Sequence, residues 1–483
     1  ENMSKKLSLL DLAFFVAESE ASPKHVAGLL IFKRPARSSV NFAHDLYEEY
    51  LTRTDVKAPF NKVIKFSLTG MPYWKDCASI DLNQHIFYHK LEKGQNSREQ
   101  LYQLVSQLHE PRLARCKPLW EIHIIDGLEN GRFGLYQKMH HACADGITMM
   151  RWTANNLSET ADDMELEPIW CTPRTSRRHR DNTGLLSLKM LTALWSNIGS
   201  IRKQAMGVAR LAAMMFLESV KLTKNAIALP FVANGDTPLT GQVTSGRQFA
   251  TVTVSMDRIN RIRTLTRSTL NHVALTCLDG ALHRYLQDQG VELKQPITIQ
   301  MPVNLRAESD QQSAGNKIGI IQVELSAPTD DPYVRLRNIG FSLRNVRSMI
   351  DSVVPEAIEY YTLIVGLFGQ ITEMLHLSNQ LPPLGNTLVS NVPGPKQYMY
   401  LKGAKMEEMH PISTLPPSNL LNITLFSYVN ELTFGLIATD ELPNLQRLAH
   451  FVEAAFDELE KSVQDMPLLP APAAVAEQAP VSA

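Results

Sequence analysis

Two adjacent histidines, His140 and His141, sit in the segment GRFGLYQKMHHACADGITMMRW, with Asp145-Gly146 following four residues later. An imidazole with its ordinary pKa of about 6.5 can take a proton from a hydroxyl near neutral pH and pass it to a leaving group. Neighbouring side chains on extended chain point to opposite sides, so only one of the two can face a given cleft: one acts and the other supports. Asp145 stands where a carboxylate can cap a helix beginning at Ile147 or pair with an arginine such as Arg306, and Gly146 permits a tight backbone turn. The plain alternative for such a pair is a core or metal-bound role. Metal is disfavoured, because the chain has no HExxH and His25, His85, His89, His109 and His123 do not complete a ligand spacing. Cys143 reads as a small buried thiol rather than a nucleophile.

The elements that must position these residues follow from periodicity. An amphipathic start (Leu9, Leu10, Leu12, Ala13, Phe14, Phe15), a strand-like AGLLIF, a helical LYQLVSQLHEPRL and a strand FGLYQKMHH make residues 1–158 an α/β unit. Residues 159–244 open with ADDMELE and the arginine-rich PRTSRRHRD, which suit an exposed connection, and continue from Leu185 to Phe231 as basic amphipathic helices. Those helices either pack on one domain or lie on a lipid surface. A second α/β unit covers residues 245–465, from RQFATVTV through HVALTCLDGALHRYL, PITIQMPVNLR, IGIIQVEL, NTLVSNV, LNITLFSYV and LTFGLIAT to a final helix at Leu445–Val463. The tail, 466–483, is rich in Pro and Ala and is expected to be disordered.

Bulk properties narrow the class. A chain of 483 residues exceeds what one core usually spans, so two domains with a cleft between them are expected. Lys plus Arg (48) nearly balance Asp plus Glu (49), which argues against nucleic acid as a partner. Five widely spaced cysteines without a CxxC pair fit neither a disulfide framework nor structural zinc, and point to a reducing, cytoplasmic setting. The longest candidate span, Tyr360 to Thr372, is too short to cross a membrane, so any membrane association is expected to be peripheral, on the inner membrane surface or lipid inclusions.

At HHxxxDG the residues begin to match a family. With LSLLDLAFFVAES, HVAGLLIF, the Pro118-Leu119-Trp120-Glu121 of KPLWEIHII, MPVNLR, Gly315-Asn316 and the SNVPGP from Ser390 to Pro395, nearly the full chain resembles the bacterial wax ester synthase and acyl-CoA:diacylglycerol acyltransferase family. The family usually shows Asn-Asp where this chain has Asn271-His272, so an amide is kept and a carboxylate is not. The resemblance implies an α/β fold of α+β type, with two chloramphenicol acetyltransferase-like subdomains and a tunnel between them that admits CoA at one mouth and acceptor at the other.

It also implies a reaction. His141 would be the general base, taking the proton of an acceptor hydroxyl as that oxygen attacks the acyl-CoA thioester. His140 would support it, and Asn271 is the candidate oxyanion donor because an amide donates without titrating. Asp145 and Gly146 are expected to be structural. Trp120, Ser390 and Asn391 read as a core aromatic and a strand end before a rigid Pro-Gly-Pro turn, or as a substrate-binding wall with Ser390 or Asn391 holding the pantetheine arm or acyl carbonyl. The partners would be acyl-CoA and a fatty alcohol or diacylglycerol, with no cofactor and no metal. The competing readings are the same fold and base acting on an amine or polyketide hydroxyl, and a non-catalytic lipid-surface protein working through Leu185 to Phe231.

Overall fold

The computed structural model describes residues 5–6, 11, 14–15, 17–66, 68, 72–93, 97–174, 233, 237–304, 318–351 and 355–466. In chain order the first half gives β1 (Lys5–Lys6), β2 (His25–Lys33), α1 (Phe42–Thr52), β3 (Lys62–Phe66), β4 (Pro72–Asp76) and β5 (Ile86–Lys90). There follow α2 (Ser97–His109), β6 (Trp120–Asp126), β7 (Arg132–His140) and α3 (Gly146–Asn155). The second half begins with β8 (Gln248–Ser255), α4 (Met256–Thr266), α5 (Leu270–Asp288), β9 (Thr298–Asn304), β10 (Ile318–Glu324), α6 (Pro332–Asp351) and α7 (Pro355–Met374). It ends with β11 (Thr387–Pro393), β12 (Tyr400–Leu401), β13 (Ala404–Ile412), β14 (Leu421–Tyr428), β15 (Glu431–Ala438) and α8 (Leu445–Val463). The helices expected over Leu185–Phe231, Arg306 as a partner for Asp145, Gly315-Asn316 and the tail from Pro467 lie outside the described residues.

Two six-stranded sheets carry the architecture, in the orders β12-β13-β2-β7-β6-β5 and β10-β9-β11-β14-β15-β8, with β1-β4-β3 as a small third sheet. Strand β2 shows why the first sheet is central. Its residues HVAGLLIF are all buried, and successive side chains alternate between two cores. Val26, Leu30 and Phe32 join the cluster with Trp120, Leu135, Met149 and Met150, whereas Ala27, Leu29 and Ile31 pack with Leu101, Val105, Phe249 and Ile437. The latter cluster draws on both sheets, so apolar burial, at roughly 25 cal/mol per Å², holds the two lobes to each other as well as each lobe to itself.

The second sheet is backed by α5 and α8, whose apolar faces (Val273, Leu278, Leu282 and Leu448, Val452, Phe456) enter one cluster with Ile423, Leu432 and Phe434. Thr269 caps α5 by accepting from the His272 N–H at 3.2 Å.

Residues 245–465 do not keep to one sheet. Strand β13 pairs antiparallel with β2 in the first sheet, Lys405 opposite Lys33 through Ile412 opposite Ala27. Its sequence, AKMEEMHPI, mixes charge with Pro411 and lacks the alternation that marks the other strands. Val392, Phe426 and Tyr428 likewise enter the first lobe's core. Among the described residues no helix is long and apolar enough to cross a membrane.

Candidate active site

Strand β7 ends on His140, and a tight connection over residues 141–145 delivers the chain to α3. The pleat sends the two histidines apart. His140 is fully buried and stacks on Phe15 with ring centroids 4.5 Å apart. Its Nδ1 accepts from the Ala142 N–H at 3.1 Å, which places the ring proton on Nε2, and Nε2 lies 3.0 Å from Glu18 Oε2. The same carboxylate oxygen accepts the Lys24 N–H at 3.0 Å, and Oε1 accepts from Arg115 at 3.2 Å. Burial alone would raise the Glu18 pKa, but the hydrogen bonds from His140 and the Lys24 N–H, with the charge of Arg115, hold it down at about 2.

His141 points the other way and keeps part of its surface accessible. Its N–H donates to the Lys24 carbonyl at 2.8 Å, and its ring lies against Phe14 at 4.4 Å. The surrounding protein desolvates the imidazolium and pushes the pKa down to about 4. The charge of Asp145 works against that shift, while His140 and Lys24 add to it. The ordinary value near 6.5 expected from sequence is therefore corrected: His141 is neutral throughout the physiological range.

Asp145 is the N-cap of α3, its Oδ1 accepting from the Thr148 N–H at 2.7 Å, so the helix starts at Gly146, one residue before the expected Ile147. Gly146 does not serve a turn. It is not among the positive-φ glycines, and a Cβ built there meets nothing within 4 Å. Burial raises the Cys143 pKa well above its ordinary value, which keeps the thiol protonated.

In the second lobe, Asn271 is exposed on the first turn of α5, and its Oδ1 accepts from Asn391 Nδ2 at 2.7 Å. Two residues 120 positions apart, singled out for different reasons, thus meet in one amide pair. Ser390 donates to Thr424 Oγ1 at 3.3 Å across β11 and β14. Val392, next to Asn391, shares an apolar cluster with Ala144, Met149 and Met150, which follow the histidine pair in the chain. The Pro-Gly-Pro turn needs its glycine, because a Cβ at Gly394 would stand 2.1 Å from the Ser427 carbonyl oxygen. His272 turns away from this pair and bonds through Nε2 to the Leu336 carbonyl at 2.5 Å, tying α5 to α6.

Trp120 requires a correction as a substrate-wall residue. It is 2% exposed, donates from Nε1 to the Phe60 carbonyl at 2.9 Å and stacks between His85 and Trp170. Sequence reasoning missed Glu18, Lys24 and Glu373. A carboxylate inside the apolar run LAFFVAES was the available signal for Glu18; Lys24 and Glu373 meet across 349 residues and carry none. Among the described residues, the grouping with metal-ligand spacing is His44, Asp45 and Glu48 on the surface of α1, within the first lobe but on no element of this site.

The family description "Wax ester synthase/diacylglycerol acyltransferase catalytic domain" matches residues 7–274, and "WS/DGAT C-terminal domain" matches 314–460. A probable diacylglycerol O-acyltransferase of Mycobacterium tuberculosis is 30% identical over 459 residues, covering 94% of this chain and 98% of the relative. The O-acyltransferase WSD of Acinetobacter baylyi is 30% identical over 455 residues, covering 93% and 95%. Among solved structures, the wax ester synthase/diacylglycerol acyltransferase of Marinobacter aquaeolei VT8 superposes with a TM-score of 0.74 at 26% identity, covering 95% of this chain and 100% of that one. The first condensation domain of the calcium-dependent antibiotic synthetase gives 0.58 at 13% identity over 96% and 97%, which shows a shared fold alone.

Proposed function

The chain belongs to the wax ester synthase/diacylglycerol acyltransferase family, and from that premise we propose that it transfers a long-chain acyl group from acyl-CoA to the hydroxyl of a fatty alcohol or diacylglycerol, with His141 as general base. The observation that carries the assignment is the contrast within the histidine pair. His140 is fully buried with both ring nitrogens committed to other residues, whereas His141 is neutral and part-accessible, its ring lying against Phe14 and its N–H fixed on Lys24.

In the reaction, a ring nitrogen of His141 takes the acceptor's hydroxyl proton as the oxygen bonds to the thioester carbon. The carbonyl electron pair moves to oxygen, for which we assign the Asn271 amide as donor, and its return breaks the C–S bond. The CoA thiolate leaves and takes the proton from His141. No acyl-enzyme and no cofactor enter this sequence. An imidazolium of low pKa is a ready acid for that last step, and the Asp145 charge beside it lowers the cost of forming it. The open space at Gly146 is where an acceptor can approach without meeting a side chain. Because fatty alcohols and diacylglycerol reside in lipid, the enzyme meets them at a membrane or lipid-inclusion surface.

The test is thiol release from a long-chain acyl-CoA with hexadecanol or diacylglycerol as acceptor. His141→Ala should lower kcat by roughly 10²- to 10⁴-fold. The wild-type rate should stay level down to about pH 5 and fall toward pH 4, following the depressed His141 pKa of about 4. Thiol release that is absent with both lipid alcohols, or unchanged in His141→Ala, would refute the assignment.

A further inference from the structure

At the lead-in to β2 stands a lysine only 1% exposed, a placement that is costly for an ammonium unless it is paired. Lys24 Nζ donates to Glu373 Oε2 at 2.5 Å and to Ser22 Oγ at 3.0 Å, and Ser22 Oγ donates to Glu373 Oε1 at 2.7 Å. Glu373 lies at the C-terminal end of α7, in the second half of the chain, and its side chain is as buried as that of Lys24. The main chain of Lys24 is committed as well. Its N–H goes to the Glu18 oxygen that holds His140, and its carbonyl receives the His141 N–H. One residue therefore touches the carboxylate behind the first histidine, the backbone of the second and a helix of the other lobe.

We propose that Lys24, locked by Glu373, is a positioning residue for the acyl transfer, fixing where His141 stands and what net charge it faces across the lobe interface. The proposal rests on His141 being the base. A pair that served only to fasten the lobes could sit anywhere on their interface, whereas this one is bonded into the backbone of the histidine strand. The charged and titratable groups acting on the His141 ring are Asp145, His140 and Lys24. Lys24 in turn faces Glu373, with Glu18 at its own N–H, and Arg247 lies near enough to Glu373 to interact with it.

The two partners then act on His141 with opposite sign. Removing the ammonium leaves the Glu373 anion nearby, which favours the imidazolium; removing the Glu373 charge leaves the ammonium unbalanced, which disfavours it.

The experiment compares Lys24→Met, Glu373→Gln and the double variant K24M/E373M with wild type and His141→Ala, reading kcat, acyl-CoA KM, the acid limb of the pH profile and Tm. Lys24→Met should lower kcat roughly 10- to 100-fold, as a small displacement of a catalytic group does, with acyl-CoA KM little changed. Its acid limb should move upward by roughly half a pH unit or more, while that of Glu373→Gln should not move upward. Replacing both charges by apolar side chains should recover most of the Tm lost in Lys24→Met, since buried ion pairs are commonly replaceable in this way, yet kcat should stay low. Should Lys24→Met not fold, Glu373→Gln and the double variant carry the same test. Recovery of kcat together with Tm in K24M/E373M, or acid limbs moving upward in both single variants, would reduce the pair to a fastening and overturn the proposal. A wild-type enzyme without thiol release, or His141→Ala at wild-type rate, would instead condemn the assignment of the base.

Discussion

At the end of β7, His140 is gripped by a buried carboxylate on one ring nitrogen and a backbone N–H on the other, and that carboxylate is itself held by Arg115 and the Lys24 N–H. At the start of α5, Asn271 is exposed and Asn391 Nδ2 donates to its Oδ1. The first arrangement fixes the end of the histidine strand before substrate arrives, at the cost of burying charge. The second leaves an amide able to settle against whatever carbonyl is presented. If that difference is functional, damage at the histidine end should appear as lost stability and lost rate together, and damage at the asparagine end as lost rate alone.

The largest effect should come from Glu18→Gln. The carboxylate accepts from the His140 ring, the Lys24 N–H and Arg115, and hydrogen bonds to a charged group are worth about 1.5–3 kcal/mol each, so the denaturation midpoint should fall steeply and kcat with it. The acid stability of the wild type has a definite sign. Glu18 titrates near 2 in the folded protein against about 4.5 when free, so its contribution is complete above pH 4.5 and is lost as pH falls toward 2. His141 acts in the same direction over a higher window: with a folded pKa of about 4 against 6.5, it makes stability rise with pH between those values. Glu18→Gln should flatten the stability profile below pH 4.5 and leave the slope between pH 4.5 and 6.5 in place. A wild-type profile already flat below pH 4.5 would remove Glu18 from its place as the anchor.

Asn271→Ala should lower kcat by roughly 10²- to 10³-fold, the usual cost of one oxyanion donor, with stability within about 0.5 kcal/mol because the side chain is exposed. Asn391→Ala, which removes the hydrogen bond to Asn271 Oδ1, should cost about tenfold. A larger loss in Asn391→Ala than in Asn271→Ala would reverse the two roles, and a stability loss above 2 kcal/mol in either would erase the contrast between the two ends.

Much of this was legible in the chain, and the limits have physical causes. HHxxxDG, PLWE and SNVPGP are contiguous, so the histidine pair, the Asp145 helix cap and the Pro-Gly-Pro turn could be located from sequence. Strong periodicity placed α8 at Leu445–Val463, as expected. The insertion of β13 between β12 and β2 was not legible, because the long-range pairing of AKMEEMHPI is set by the partner strand rather than by its own alternation. The depressed pKa of His141 depends on burial that local sequence does not encode, and the core reading of Trp120, favoured over the wall, gained its partners only once its neighbours were placed.

Trp120→Phe sharpens the contrast further, being a core change close in sequence to a motif. The indole donates to the Phe60 carbonyl inside the first lobe, so the variant leaves that acceptor unpaired and should cost roughly 1–3 kcal/mol of stability. Acyl-CoA KM should not change. A raised KM with unchanged stability would return Trp120 to the substrate wall.

The smallest effect belongs to Gly146. A glycine required by a turn would lose stability when given a Cβ, because positive φ penalises every other residue. Gly146 is instead the first residue of α3, without a positive φ and with open space around it. Ala should therefore be neutral or raise stability by up to about 1 kcal/mol through its better helix propensity and the reduced freedom of the unfolded chain. If the open space at Gly146 is where the acceptor enters, the same methyl should slow diacylglycerol more than a straight-chain alcohol. Thermal unfolding paired with acceptor competition separates the two effects. A destabilised Gly146→Ala would restore the turn, and equal rates with both acceptors would move their entry elsewhere.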